Sequence, residues 1–75
     1  MERRLLIYIH AIAQKFVNKA KSGKFSPICL ASEYHNMVWN YRYNYGVCPE
    51  TECNIYNRLP AAVQDEICKQ WEEAQ

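Results

Sequence analysis

The residues of this 75-residue chain that could do nucleophilic or acid–base chemistry are two histidines, His10 and His35, and four cysteines. Nucleophilic catalysis needs a nucleophile, a base and a group that orients the base. Neither histidine lies in a sequence pattern typical of such a site. The two glycines, Gly23 and Gly46, are isolated, so the chain has no glycine-rich loop that would hold a phosphate. We therefore expect a protein that is not an enzyme and that needs no cofactor.

The four cysteines are Cys29, Cys48, Cys53 and Cys68, with the spacing C-x18-C-x4-C-x14-C. A structural zinc site usually takes two ligands from a tight C-x2-C pair, which this spacing lacks. Cys48 and Cys53 form a looser pair that His35 or His10 would have to complete. We expect free thiols and no metal, and a structural zinc site is the alternative.

Aromatic and polar side chains alternate along residues 39–45, which read W-N-Y-R-Y-N-Y. Trp, Tyr and Arg are enriched in the hot spots of protein interfaces, because Trp and Tyr combine a large apolar area with a polar tip. On a helix, Trp39 and Tyr43 point away from the face that carries Tyr41 and Tyr45. We therefore predict a partner-binding surface formed by His35, Asn36, Trp39, Arg42 and Tyr43. The competing interpretation buries these residues between neighbouring helices, because so small a domain needs every large apolar group in its core.

Basic residues cluster near the end of the first predicted helix, at Lys15, Lys19, Lys21 and Lys24. We expect an ordinary amphipathic core helix here. The second hypothesis is that these lysines, together with Arg42, contact nucleic-acid phosphates while Trp39 or Tyr43 stacks on bases. A third is that the helix lies on an anionic membrane surface. The sequence pI of 7.7 is below the values typical of dedicated nucleic-acid binders.

The hydrophobic periodicity is helical almost throughout and predicts the elements that must position these residues. The first helix is predicted over residues 3–21, followed by Gly23 as a C-cap. The second is predicted from Ser26-Pro27, an N-cap followed by a proline at the first helical position, to about Tyr45, with Gly46 ending it. A strand over residues 39–45 is the structural alternative, because side chains alternate there.

The second half of the chain is predicted to hold a short helix from Cys48-Pro49 to about Asn57 and a last helix that starts at Pro60. Three apolar faces are predicted to form the core: Leu5, Ile9, Ile12, Phe16 and Ala20; Leu30, Ala31, Tyr34, Met37, Val38, Tyr41 and Tyr45; and Leu59, Val63, Ile67, Trp71 and Ala74. The predicted fold class is all-α, a single domain over residues 1–75 with a small bundle of three main helices plus one short connecting helix.

Charge is divided unevenly along the chain. Residues 1–46 carry seven basic and two acidic side chains, a balance of +5, and residues 47–75 carry two basic and six acidic ones, a balance of −4. Such a division can orient a molecule toward a charged partner, or it reflects solvated faces alone.

The longest apolar run, residues 5–9, is far shorter than the roughly 20 residues of a membrane-spanning helix. Arg3 and Arg4 precede it, but no small-residue cleavage site of a signal peptide follows. We expect no membrane span and a cytoplasmic location.

The segment of residues 55–63, I-Y-N-R-L-P-A-A-V, resembles the helix–Leu/Ile-Pro–Val junction near the end of the Hha/YmoA family of small helical nucleoid modulators. Members of that family have a similar length and act by binding another protein. The resemblance is local, and the remaining chain follows a different sequence.

These observations lead to one principal hypothesis and one alternative. We predict a non-catalytic small helical protein that binds and modulates, by inhibition, another and larger protein, as accessory proteins of phages and other mobile elements do. This prediction depends on the chain's small size and on the absence of catalytic motifs. The alternative is a nucleic-acid-binding accessory protein that uses the basic helix and aromatic stacking.

Overall fold

The computed structural model describes residues 3–74. It contains three long helices, α1 (Arg3–Lys21), α2 (Pro27–Tyr45) and α4 (Ala61–Glu73). A one-turn helix, α3 (Pro49–Glu52), and a 3₁₀ turn at Tyr56–Arg58 connect α2 to α4. Residues 39–45 are helical, and residues 3–74 contain no strand. The all-α prediction is therefore confirmed, and the strand alternative is wrong.

The ends of α1 and α2 follow the predicted capping chemistry. The Ser26 hydroxyl accepts a hydrogen bond from the Ile28 amide at 3.2 Å, and Pro27 occupies the first turn. At the other end of α2, Gly46 has a φ of 67° and donates its amide to the Arg42 carbonyl at 3.1 Å. Gly23, after α1, has a φ of 74°. Glycine adopts this left-handed conformation without the strain that a Cβ introduces.

The connecting segment differs from the single short helix predicted up to Asn57. Asn54 takes a φ of 50° and breaks the helix after Cys53. The break allows Cys53 and Ile55 both to be buried, whereas residues two apart on a continuous helix point in nearly opposite directions. The last helix begins one residue later than predicted, because Pro60 serves as its N-cap.

The buried core draws on every long helix and on the connector. It consists of Ile9, Ala13, Phe16, Val17, Ala20, Leu30, Ala31, Tyr34, Val38, Tyr41, Val47, Cys53, Ile55, Leu59, Val63 and Ile67. Leu5, Ile12 and Met37 are only partly buried. Three residues predicted to lie in the core do not: Tyr45 is 54% exposed, Trp71 is 49% exposed, and Ala74 is also exposed. All three lie in the last turn of their helix or directly after it, at the edge of the core.

The helices form a flat molecule of 33 × 30 × 16 Å. Because packed helix axes lie about 8–10 Å apart, a thickness of 16 Å corresponds to two layers. The most extensive helix contact joins α2 to α4. Across α1 and α2, the rings of Phe16 and Tyr34 lie 6.3 Å apart, and Lys19 Nζ pairs with Glu33 Oε2 at 3.0 Å. None of the helices within residues 3–74 is long and apolar enough to cross a membrane.

Candidate functional site

A groove of about 610 Å³ lies between α2 and α4 and is hereafter called the cleft. Helix α2 contributes Tyr34, His35, Val38, Trp39 and Arg42. Helix α4 contributes Ile67, Cys68, Trp71 and Glu72, and the connector contributes Glu50 and Tyr56. The volume lies within the roughly 300–1,000 Å³ range of ligand-binding pockets.

Trp39 forms the exposed part of the α2 wall. Its side chain is 55% exposed, so it is not a core residue. The Arg42 guanidinium lies over the indole, 5.6 Å from the ring centroid. This cation–π contact restricts both side chains and leaves the remaining indole surface available to a partner.

His35 links the two walls. Its ring stacks on the indole of Trp71, with centroids 6.3 Å apart and an angle of 22° between the planes. Its Nε2 lies 3.0 Å from the carbonyl oxygen of Ile67. Because a carbonyl can only accept a hydrogen bond, His35 Nε2 carries the proton and donates it. His35 thereby positions Trp71 and holds α4 against α2.

The base of the cleft carries two tyrosine hydroxyls. Tyr34 is 2% exposed, and no hydrogen-bond partner lies within 3.5 Å of its hydroxyl among residues 3–74, although the Glu50 carboxylate lies close enough to act on it. Burial, and after it the negative charge of the Glu50 carboxylate, raises the pKa of Tyr34 above its ordinary range. The Tyr56 hydroxyl lies 3.2 Å from Cys68 Sγ, and this hydrogen bond raises the pKa of Tyr56.

The cleft carries side chains of both charges, and in the described part of the chain none of them forms an ion pair within the cleft. Arg42 is the basic residue, and Glu50 and Glu72 are acidic. Within residues 3–74, the pair Lys19–Glu33 is the one ion pair within 4 Å, and it lies outside the cleft. The cleft therefore has an excess of one negative charge and no internal salt bridge that would have to be broken on binding.

A second groove continues the cleft along α2 and α4, hereafter the adjoining groove. It is lined by Ser32, His35, Asn36, Trp39, Gln70, Trp71 and Ala74, with a volume of about 570 Å³. His35, Trp39 and Trp71 line both grooves. The two indoles therefore lie in the middle of a continuous depression.

The structure distributes the five predicted partner-binding residues over this region. His35, Trp39 and Arg42 line the cleft, and Asn36 joins His35 and Trp39 in the adjoining groove. Tyr43 is 88% exposed and lines neither groove. Trp39 and Tyr43 are both exposed. The competing interpretation, in which these residues are buried between helices, therefore does not hold for them.

Sequence reasoning missed Trp71, Tyr34 and Glu50 as parts of this region. Trp71 and Tyr34 lie at the helical spacing of the apolar residues of α4 and α2, so the sequence predicted both to be in the core. Glu50 looked like a helix N-terminal charge and carries no pattern of its own. No local sequence signal distinguished these three residues from ordinary core and helix-terminal positions.

The four predicted nucleic-acid-contacting lysines are divided between two places. Lys15 and Lys19 line a groove between α1 and α2 together with Asn36 and Asn40. Lys19 is engaged there, because it pairs with Glu33 and lies 4.7 Å from the Phe25 ring centroid. Lys21 and Lys24 are exposed at the end of α1 and in the following loop.

All four cysteines are free thiols, with Cys29 and Cys68 exposed, Cys48 partly buried and Cys53 buried. Burial raises the pKa of Cys53. Across residues 3–74, no group of three or more His, Cys, Asp or Glu side chains is arranged to hold a metal ion. The structure therefore gives no support to the zinc alternative at Cys48 and Cys53.

The chain matches no known protein family, no curated protein and no solved structure. The local resemblance of residues 55–63 to the Hha/YmoA family therefore assigns no family to this chain.

Proposed function

We propose that the protein is a non-catalytic binding protein that docks on another protein through the cleft and the adjoining groove. The observation that carries the proposal is the exposure of Trp39 and Trp71, each about half exposed, where the two grooves meet. Exposed indoles in a concave apolar surface are typical of interaction sites, and Trp is among the residues that contribute most to binding energy.

Both indoles are held in place before any partner arrives. Arg42 lies over Trp39, and His35 stacks on Trp71 while donating to the Ile67 carbonyl. Association costs free energy when loose side chains have to be ordered. Restricted indoles reduce that cost, which favours a protein interface at this position.

The finer part of the proposal concerns the partner. We propose that it is a larger cytoplasmic protein whose activity is inhibited when this chain covers its working surface, in the manner of accessory proteins of phages and other mobile elements. Four free thiols suit a reducing compartment. A protein without catalytic machinery can act on a partner only by occupying a surface or shifting a conformation.

The test compares capture of binding proteins from a lysate of the source organism by three immobilised variants and the wild-type chain. Trp39→Ala and Trp71→Ala remove the indoles. Tyr8→Ala is the matched control, because Tyr8 is also 55% exposed but lies on α1. A protein that the wild type and Tyr8→Ala retain, and that both tryptophan variants lose, is identified by mass spectrometry and purified.

Calorimetry with the purified partner then measures the affinities. We expect each tryptophan variant to bind on the order of 30-fold or more weakly, and Tyr8→Ala to bind like the wild type. Circular dichroism verifies that all variants are folded. Equal affinity of wild type and both folded tryptophan variants would exclude the cleft as the interface. The partner's own activity, assayed with and without this chain, tests inhibition separately.

A second candidate function is nucleic-acid binding on the other side of α2. The observation that favours it is the groove lined by Lys15, Lys19, Asn36 and Asn40, in which Lys15 remains without an ion-pair partner among residues 3–74 while Lys19 pairs with Glu33. Fluorescence anisotropy with single-stranded and duplex oligonucleotides at several salt concentrations tests it. Phosphate contacts make the affinity fall steeply with salt, and Lys15→Gln should reduce that slope by about one. No binding at low salt would exclude this function.

A further inference from the structure

We propose that the cleft receives a basic side chain, lysine or arginine, presented by the protein partner. This inference rests on the proposed function, because it names the chemistry of the group that the same site would recognise. The juxtaposition that carries it is a buried, unpartnered tyrosine hydroxyl beside a free carboxylate and two exposed indoles.

The aromatic composition of the cleft favours a cation. Tyr34, Trp39, Tyr56 and Trp71 all line it, and an aromatic face attracts ammonium and guanidinium groups, most strongly at tryptophan. Trp39 already holds a guanidinium in this structure, since Arg42 lies 5.6 Å from its ring centroid. Trp71 has one face covered by His35 and keeps about half of its surface exposed.

The charges of the cleft favour the same choice. Glu50 and Glu72 both line it, and neither pairs with a lysine or arginine within 4 Å among residues 3–74. A basic group entering the cleft would neutralise the excess negative charge. An acidic group would meet two carboxylates against the single guanidinium of Arg42, and an apolar group would desolvate the carboxylates without compensation, which costs free energy.

The hydroxyl of Tyr34 supplies the independent observation. It is buried and makes no hydrogen bond within residues 3–74, although buried polar groups are nearly always paired. The Tyr34 oxygen has almost no accessible surface, so an ammonium or guanidinium group reaches it only when side chains at the base of the cleft move aside. The group can then donate to the Tyr34 oxygen and to the Glu50 carboxylate together. Hydrogen bonds that involve charged partners are roughly twice as strong as neutral ones. An apolar side chain would leave the hydroxyl unpaired.

The test uses capped pentapeptides with the sequence Ala-Ala-X-Ala-Ala, where X is arginine, lysine, citrulline or glutamate. Citrulline has the shape of arginine and no charge. The full-length protein, labelled with ¹⁵N, is titrated with each peptide up to about 10 mM while the indole N–H signals of Trp39 and Trp71 are followed. We expect saturable shifts with arginine and lysine, and affinity about tenfold weaker or worse with citrulline and glutamate.

Three variants locate the contacts of the basic group. Glu50→Gln should weaken the arginine peptide about tenfold and leave the citrulline peptide unchanged. Glu52→Gln is the matched control, because Glu52 lies on the same short helix α3 but does not line the cleft, and it should bind like the wild type. Tyr34→Phe should weaken the arginine peptide a few-fold.

The outcomes separate this inference from the proposed function. No binding of any peptide, equal binding of arginine and citrulline peptides, or equal effects of Glu50→Gln and Glu52→Gln would overturn the basic-side-chain inference. The proposed function would still stand if Trp39→Ala and Trp71→Ala lose the protein partner. If the arginine peptide binds as expected and both tryptophan variants keep full affinity for the partner, the proposed protein interface is wrong.

Discussion

The imidazole of His35 lies nearly parallel to the indole of Trp71, with a 22° angle and 6.3 Å between ring centroids, while its Nε2 donates to the carbonyl of Ile67 one turn earlier on α4. One side chain of α2 thus contacts both a side chain and the backbone of α4. The α2–α4 packing and the shape of the cleft depend on the same residue.

The first prediction concerns this pair. His35→Ala should lower the free energy of unfolding by about 1–2 kcal/mol, because it removes the stacking and a hydrogen bond. Trp71→Ala should cost about 1 kcal/mol, since the indole is half exposed. Urea unfolding of the double variant should show a loss smaller than the sum by about 0.5–1.5 kcal/mol. Strict additivity would mean that the two rings do not stabilise each other.

The second prediction contrasts an exposed and a buried apolar residue of α2. Trp39→Ala should lower the free energy of unfolding by about 1 kcal/mol or less, because only the contact with Arg42 and partial burial are lost. Leu30→Ala, at a buried position, should cost roughly 2–5 kcal/mol. Thermal or urea unfolding measures both. A Trp39→Ala variant that fails to fold would place this indole in the core.

The third prediction concerns the unpaired hydroxyl of Tyr34. Tyr34→Phe should leave the protein equally stable or stabilise it by up to about 1 kcal/mol, because no hydrogen bond is lost and the cost of burying the hydroxyl disappears. Tyr43→Phe, at a highly exposed position, is the control and should change stability by less than about 0.5 kcal/mol. A loss of more than about 1 kcal/mol in Tyr34→Phe would show that the hydroxyl is bonded in the folded protein.

The fourth prediction concerns alkaline pH. Burial raises the pKa of Tyr34 and Tyr41, and the hydrogen bond to Cys68 raises that of Tyr56. The unfolded chain then releases protons from about pH 10 while the folded protein keeps them, so stability present below pH 10 is lost as the pH rises. The loss from Tyr34 should reach about 1.4 kcal/mol per pH unit. Urea unfolding between pH 8 and 11 should give a flatter curve for Tyr34→Phe, and an identical curve would contradict the burial effect.

The fifth prediction concerns the end of α2. Gly46→Ala should lower the free energy of unfolding by about 1 kcal/mol, because Gly46 has a φ of 67°. Beyond its chain neighbours, no atom of residues 3–74 lies within 4 Å of the Cβ that the substitution introduces, so the cost comes from the local backbone conformation and not from a clash with surrounding side chains. Gly46→Asn should cost less, because asparagine tolerates this conformation. Equal costs for alanine and asparagine, measured by thermal unfolding, would indicate a different cause.

Local capping chemistry explains why the bounds of α1 and α2 could be predicted from the sequence. Ser26-Pro27 and Gly46 act through atoms within four residues of themselves, so no knowledge of the tertiary fold is needed. The break at Asn54 was not predictable in this way. It depends on the burial of both Cys53 and Ile55, which is a property of the surrounding core.

The candidate site was predictable on one wall only. Trp39, Arg42 and His35 lie within one stretch of α2, and their residue types indicated a binding surface. Glu50, Trp71 and the Tyr34 hydroxyl reach the same cleft from the connector, from α4 and from the core. Their proximity results from the packing of α2 against α4, and no local pattern encodes it.

The molecule is only two helix layers thick, 16 Å, so much of its surface lies on two broad faces. The broad faces measure 33 × 30 Å, and an interface of standard size buries about 800 Å² on each partner. A single partner of that kind on a broad face would screen most of that face from solvent. The opposite broad face, 16 Å away, would remain exposed to solvent.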